Sequence, residues 1–293
     1  MKYCDRIHPF AFLIYFLFVV FVTMFTLNPI IICGSFLFAV TFYGLLVGAK
    51  KLFSSLCYTL PLMLIIALIN PIFVHKGQTV LFFLNDNPFT MEALVYGVCS
   101  SVMIASVLYW FKSFNVIMTG EKTAVLFWRV LPKISLIITM ALRFIPDFKR
   151  KYREIDDAQK ALGVYSSKSF VDRVSAKLRV VSVLVSASVE DSVTTAESMS
   201  ARGYGLKGRR VFSPYGWGID EVALTLPCLV LGGASLYCLI TGVVGFYYYP
   251  TVKRLSFGAL QWTVYGIIWA LFALTTFFEV KDGIKWRLLK SKI

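Results

Sequence analysis

Six stretches of this sequence are apolar for about the 20 residues an α-helix needs to cross a bilayer: Phe10–Leu27, Ile30–Gly48, Leu56–Val74, Ala93–Phe111, Val222–Val244 and Ser256–Phe278. Hydrocarbon offers the backbone no water, so each run must pair its own N–H and C=O groups, and a helix bundle is the class to expect. Composition agrees. The chain is 58% hydrophobic and only 16% charged, with a mean hydropathy of +0.72. Its 26 Phe and 15 Tyr suit lipid contact and interfacial belts. The expected fold is all-α, a polytopic membrane bundle of about six transmembrane helices.

An even number of spans places both termini on one side. The connectors then alternate, with Ala49–Ser55 inside, His75–Glu92 outside, Lys112–Glu221 inside and Gly245–Leu255 outside. Of the 30 Lys and Arg residues, only Lys76, Lys253 and Arg254 fall outside. That skew predicts a multi-pass membrane protein with both termini cytoplasmic. It also accounts for the net charge of +14 without nucleic acid. The basic start, Met1 to Arg6, leads into an apolar run that no small-residue cleavage pattern closes, so the first span is read as retained.

The six cysteines (Cys4, Cys33, Cys57, Cys99, Cys228, Cys238) are scattered, which indicates neither a disulfide framework nor a metal site. Pro29, Pro61 and Pro71 lie in or beside spans and are read as packing features. Thr90 can cap the fourth span, with Glu92 in its first turn, after the turn-rich stretch that opens with Asn85-Asp86. Three parts follow: residues 1–111, a four-span bundle; residues 112–213, a long cytoplasmic segment; and residues 214–293, a transmembrane pair with a basic tail.

The long segment is too extensive for a connector and reads as helices. After Leu131-Pro132-Lys133 comes an apolar stretch, Ile134–Leu142, expected to end at Arg143-Phe144-Ile145-Pro146. A charged helix should follow over Asp147–Ala161, stopped by Gly163. Ser169, with Asp172 three residues on, opens a further long helix as a cap. Along it Val171, Val174, Leu178, Val181, Val185, Val189, Val193, Ala196 and Met199 recur every three or four residues, forming one apolar stripe. With Arg173, Lys177, Arg179, Glu190, Asp191 and Glu197 on its other faces, this helix is too charged to cross lipid. It should lie at the cytoplasmic membrane surface with its stripe on the bundle or on a partner. Glycines end it at Ala201-Arg202-Gly203, which leaves Arg202 where a helix favours a cation.

Catalytic signatures are weak. No Gly-Lys-Ser/Thr triplet occurs, so a nucleotide-binding loop of that kind is absent. Gly203-Tyr204-Gly205-Leu206-Lys207-Gly208 matches Gly-x-Gly-x-x-Gly but follows a helix where the dinucleotide fingerprint requires a strand. Two histidines, His8 and His75, make no His-rich site. Glu154, Asp156 and Asp157 are the best case for Mg²⁺, as in a metal-dependent membrane prenyltransferase. Their interleaving with Lys149, Arg150, Lys151, Arg153 and Lys160 instead suits a solvated, charge-balanced helix. The other rival is a conventional ABC permease lining its own pathway.

From about Leu126 to Ser213 the sequence resembles the transmembrane T component of energy-coupling-factor (ECF) transporters, the EcfT and CbiQ-like proteins. The resemblance is carried by Leu131-Pro132 with Ala141-Leu142-Arg143-Phe144-Ile145-Pro146, by Ala158-Gln159-Lys160-Ala161-Leu162-Gly163, and by Ala196-Glu197-Ser198-Met199-Ser200-Ala201-Arg202-Gly203-Tyr204-Gly205. It implies two long cytoplasmic coupling helices, each ending in an Ala-Arg-Gly motif that docks on one of two ATP-binding cassette subunits. It also implies a separate substrate-binding membrane subunit, the S component, for a vitamin, cofactor precursor or metal ion. This chain would itself be no enzyme and bind no cofactor, with ATP and Mg²⁺ on the partners. The docking residues so implied are Ala201, Arg202 and Gly203, and Ala161, Leu162 and Gly163, with Leu162 standing where the family has Arg. Arg143 and Pro146 would set the bend between the coupling helices. Val174, Leu178, Val181, Val185 and Val189 would face the partner.

Overall fold

The computed structural model describes residues 7–74, 77–84, 87–128, 131–163, 170–204, 206, 218–250 and 258–290. The expected cap Ser169, the turn residues Asn85 and Asp86, Cys4, Gly205, Lys207, Gly208, and the outside residues His75, Lys76, Lys253 and Arg254 lie outside them. The described chain separates into two compact units, residues 120–214 and the remainder, so the first and last helices share one unit.

That larger unit contains α1 (Pro9–Phe25), α2 (Pro29–Val47), α3 (Ala49–Phe73), α4 (Met91–Ile117), α8 (Ile219–Ile240) and α9 (Ala259–Lys290). Five of these have the length and hydropathy to cross a membrane, and α1 is a shorter apolar helix. Starts follow local chemistry. Asn28 accepts from Ile30 N–H at 3.1 Å, with Pro29 in the first helical turn. His8 Nδ1 likewise accepts from Phe10 N–H at 3.2 Å at the head of α1. Thr90 caps α4 through Ala93 N–H at 3.4 Å.

The elements differ from expectation in three places. Ala49–Ser55 is not a connector: Gly48 alone, with φ 94°, turns the chain, and α3 begins at once. Lys50 and Lys51 interrupt the apolar run but not the helix, because lysine is a good helix former. The segment before α4 is a hairpin, β1 (Val80–Leu84) antiparallel to β2 (Asn87–Thr90). The buried Glu92 pins it, Oε1 accepting from Thr79 N–H at 3.2 Å and Oε2 from Thr79 Oγ1–H at 2.8 Å. Finally, Pro146 does not end a helix, as described below.

Helix α4 packs against α1, α2 and α3, and α9 against α2 and α8. Trp110, Tyr15, Tyr109, Phe12 and Phe42 fill the centre. Helix pairs also approach closely at glycine. A Cβ built on Gly97 would lie 2.5 Å from the Ala67 carbonyl oxygen of α3, a contact no rotamer change can relieve. Gly97→Ala is therefore expected to force α3 off α4 at a cost of about 1–3 kcal/mol. Gly233→Ala, whose Cβ would meet nothing, should be neutral or stabilising by up to about 1 kcal/mol. Thermal melts of the two variants in detergent check the contrast.

Candidate functional site

The smaller unit holds α5 (Gly120–Trp128), α6 (Pro132–Ala161) and α7 (Phe170–Ala201), with α6 packed on both others. Helix α6 runs unbroken for 30 residues with Pro146 inside it. This corrects the expected stop at residues 143–146. Proline deletes one N–H bond to the carbonyl four residues back, and here the helix continues through the loss. Arg143 and Pro146 therefore lie inside one continuous helix.

The two long helices end alike. Leu162 N–H bonds to Ala158 O at 3.1 Å and Gly163 N–H to Lys160 O at 3.0 Å. Arg202 N–H bonds to Ser198 O at 3.1 Å and Gly203 N–H to Ser200 O at 3.0 Å. Gly163 and Gly203 have φ of 73° and 70°, the left-handed region in which glycine closes a helix without a Cβ clash. After α7 the Tyr204 N–H reaches Met199 O at 3.1 Å, completing a Schellman cap. Each motif thus presents its middle side chain, Leu162 or Arg202, on a fixed terminal turn, and both are exposed, Leu162 by 76%.

An ion pair relates the two ends. Lys151 Nζ on α6 contacts Asp191 Oδ2 on α7, and nothing in the local pattern of either helix announced this pairing. Leu162 follows Lys151 by 11 residues, and Arg202 follows Asp191 by 11. A cleft of about 690 Å³ extends from the pair, lined on α6 by residues back to Met140 and on α7 and its terminal turn by residues forward to Arg202 and Tyr204. The helices therefore run antiparallel here. The two motifs lie on opposite sides of the ion pair, each about 16 Å along its own helix.

Arg143, Asp147, Arg150 and Lys151 form the α6 wall of the cleft. Ser188, Ser192 and Thr195 on the α7 wall donate to their own backbone, to Leu184, Val189 and Asp191 carbonyls at 2.6, 2.7 and 2.7 Å. Their oxygens remain available as acceptors. The acids considered for Mg²⁺ are engaged within α6: Glu154 lies 3.8 Å from Arg150, and Lys160 lies 2.6 Å from Asp156 and 3.1 Å from Asp157. Hydrogen bonds to Asp156, then Asp157, hold the Lys160 ammonium well above its ordinary pKa. Among the described residues no group of three or more His, Cys, Asp or Glu could hold a metal ion.

The stripe residues of α7 are exposed: Val174 by 42%, Leu178 by 63%, Val181 by 44%, Val185 by 55% and Val189 by 58%. Ala176 and Val180, on the roughly opposite face, are the buried ones. Small side chains on that face carry little apolar signal, so the sequence stripe pointed to the uncovered side.

Residues 4–212 match the cobalt transport protein family CbiQ. The match takes in α1 to α7 with both Ala-x-Gly ends and reaches well before residue 126. The energy-coupling factor transporter transmembrane protein EcfT of Listeria innocua serovar 6a is 31% identical over 183 residues, 58% of this chain and 69% of that relative. The protein of the same name from Streptococcus equi subsp. equi is 28% identical over 109 residues, 36% of this chain and 40% of that relative.

The caps make a local prediction. Gly203→Ala or Gly163→Ala forces a Cβ into the left-handed region at a cost of about 1–2 kcal/mol. Faster amide exchange at the affected terminal turn alone, measured by hydrogen–deuterium exchange, is the expected result.

Proposed function

This chain belongs to the CbiQ family of cobalt transport proteins and is a multi-pass transmembrane component of an energy-coupling-factor type transporter, and from that premise we propose that it couples two ATP-binding cassette subunits to a separate substrate-binding membrane subunit. The cargo class is a micronutrient: a vitamin, a cofactor precursor or a metal ion. ATP and Mg²⁺ reside on the partners. The charge skew of the connectors supports a topology with both termini cytoplasmic.

The observation that carries this reading is the pair of matched, rigid helix ends set on opposite sides of the Lys151–Asp191 contact. Each seats in a groove on one ATP-binding subunit, Ala161-Leu162-Gly163 on one and Ala201-Arg202-Gly203 on the other. Closure of the ATP-binding subunits moves the two ends together, and two stiff helices carry the displacement to their contact. The exposed Val174, Leu178, Val181, Val185 and Val189 of α7 then pass it to the substrate-binding subunit, since apolar area of that extent is ordinarily covered by a partner.

The two seats differ chemically. A guanidinium makes charge-assisted, bidentate bonds to a carboxylate, and a leucine side chain cannot. The ATP-binding subunits are therefore non-identical, one presenting a carboxylate to Arg202 and the other an apolar groove to Leu162.

Co-expression with both ATP-binding subunits and purification through a tag on this chain tests the assignment. The wild type should retain both. Arg202→Leu should weaken one contact by about 2 kcal/mol or more, since a buried partner charge is left unpaired. Leu162→Arg should release the other subunit. Val181→Asp with Val185→Asp should release the substrate-binding subunit while both ATP-binding subunits stay. Failure of the wild type to retain any ATP-binding subunit would overturn the reading, and equal losses of both subunits in the two end variants would remove the asymmetry.

A further inference from the structure

The ends of α3 and α4 remote from the hairpin carry three lysines, and neither helix places a carboxylate of its own there. Lys50 and Lys51 sit in the first turn of α3, exposed. Lys112 reaches across from α4: its Nζ donates to Ser55 Oγ at 2.7 Å and stands 4.7 Å above the Tyr109 ring. Ser55 follows Lys51 by one helical turn on the same face of α3, so the Lys112 ammonium is anchored one turn from Lys51. From Pro29 to Ile117 the sequence contains two carboxylates, Asp86 and Glu92, and Glu92 lies at the hairpin end of the bundle. The elements packed on α3 and α4, namely α1, α2 and the hairpin, bring none to this end. Among the described residues, none of the three lysines has an ion-pair partner within this chain.

These cations stand where a spanning helix begins, and that helix is the one least covered by its own bundle. Only 6% of the most apolar part of α3 is buried, against 28% to 39% for the other long spans. Phe53, next to the lysines, is 71% exposed, and Tyr58 further along is 79% exposed, the placement of an aromatic belt. Three cations gathered at the membrane boundary, beside an uncovered apolar helix, form a surface complementary to an anionic headgroup with its acyl chains along that helix. We propose that Lys50, Lys51 and Lys112 form a binding site for an anionic phospholipid of the phosphatidylglycerol class.

Lys112 is the fixed member, oriented by Ser55 and Tyr109, while Lys50 and Lys51 are long, solvated and free to close on the phosphate. The second helix end with comparable charge is unlike it. There Lys281 and Lys285 on α9 share their stretch with Glu279 and Asp282, so the charge is balanced locally.

Native mass spectrometry of the full-length protein with equimolar dioleoyl-phosphatidylglycerol and dioleoyl-phosphatidylcholine tests the site. Wild type should retain the anionic lipid over the zwitterionic one. Each lysine near a charged lipid surface is worth roughly fivefold, so Lys50→Gln with Lys51→Gln should lower the preference by about 25-fold. Lys281→Gln with Lys285→Gln, which removes the same formal charge, should leave the preference in place. Absence of preference in the wild type, or equal loss in both double variants, would overturn the proposal, the latter by showing a general charge effect.

Discussion

One hydroxyl organises the centre of the membrane bundle. Ser35 Oγ on α2 lies 3.0 Å from Thr23 Oγ1 on α1 and 2.7 Å from Ser106 Oγ on α4, and it accepts from Trp110 Nε1–H at 3.0 Å. Apolar area drives association weakly in lipid, because an acyl chain is as apolar as a leucine side chain. Interhelical hydrogen bonds and close packing do the work instead. The Trp110 ring held by Ser35 meets Tyr15 edge-on at 6.1 Å. Tyr15 in turn donates to Phe272 O at 3.1 Å and accepts from Thr275 Oγ1–H at 2.9 Å on α9. Four helices are thus registered through three side chains. Helix α3 joins through α4: it meets α4 at Gly97, Ser55 accepts from Lys112, and Thr59 Oγ1 lies 3.3 Å from the Tyr109 hydroxyl at the edge of the centre.

The smaller unit is built on a different principle. Its two long helices, α6 and α7, are charged and closed at their ends by glycine. Exposed ion pairs such as Lys151 with Asp191 contribute on the order of 0–1 kcal/mol, so the pair marks where α6 and α7 meet and does not weld them. The glycine caps matter more. They end each helix at a defined residue and so fix the direction in which Leu162 and Arg202 project.

How much of this could be read from the residues depends on whether the deciding contact was local. Hydropathy located the spans, because lipid imposes a length and a polarity on each one independently. Helix stops at Gly163 and Gly203 were legible for the same reason, since left-handed closure needs only the glycine. Pro146 misled because its effect depends on whether the flanking helix is stable enough to absorb one missing bond. Ala49–Ser55 misled because two lysines lower hydropathy without lowering helix propensity. The hairpin rests on Glu92 reaching back to Thr79, and the antiparallel contact of α6 with α7 on Lys151 reaching Asp191. Neither pairing has a periodicity to betray it.

The exposed stripe on α7 bears on the working state of the protein. Five aliphatic side chains, Val174 to Val189, line about 22 Å of helix with 42% to 63% of each accessible. The opposite face already spends its small residues on packing, so the helix cannot roll to hide the stripe without exposing Val180. A helix in this position has two apolar demands and can meet only one within its own chain. In the proposed assembly the other is met by the substrate-binding subunit, and the same side chains that need covering become the surface on which force is transmitted. Coverage and coupling then rest on one contact, so a subunit that leaves the stripe also disengages from the ATP-driven motion.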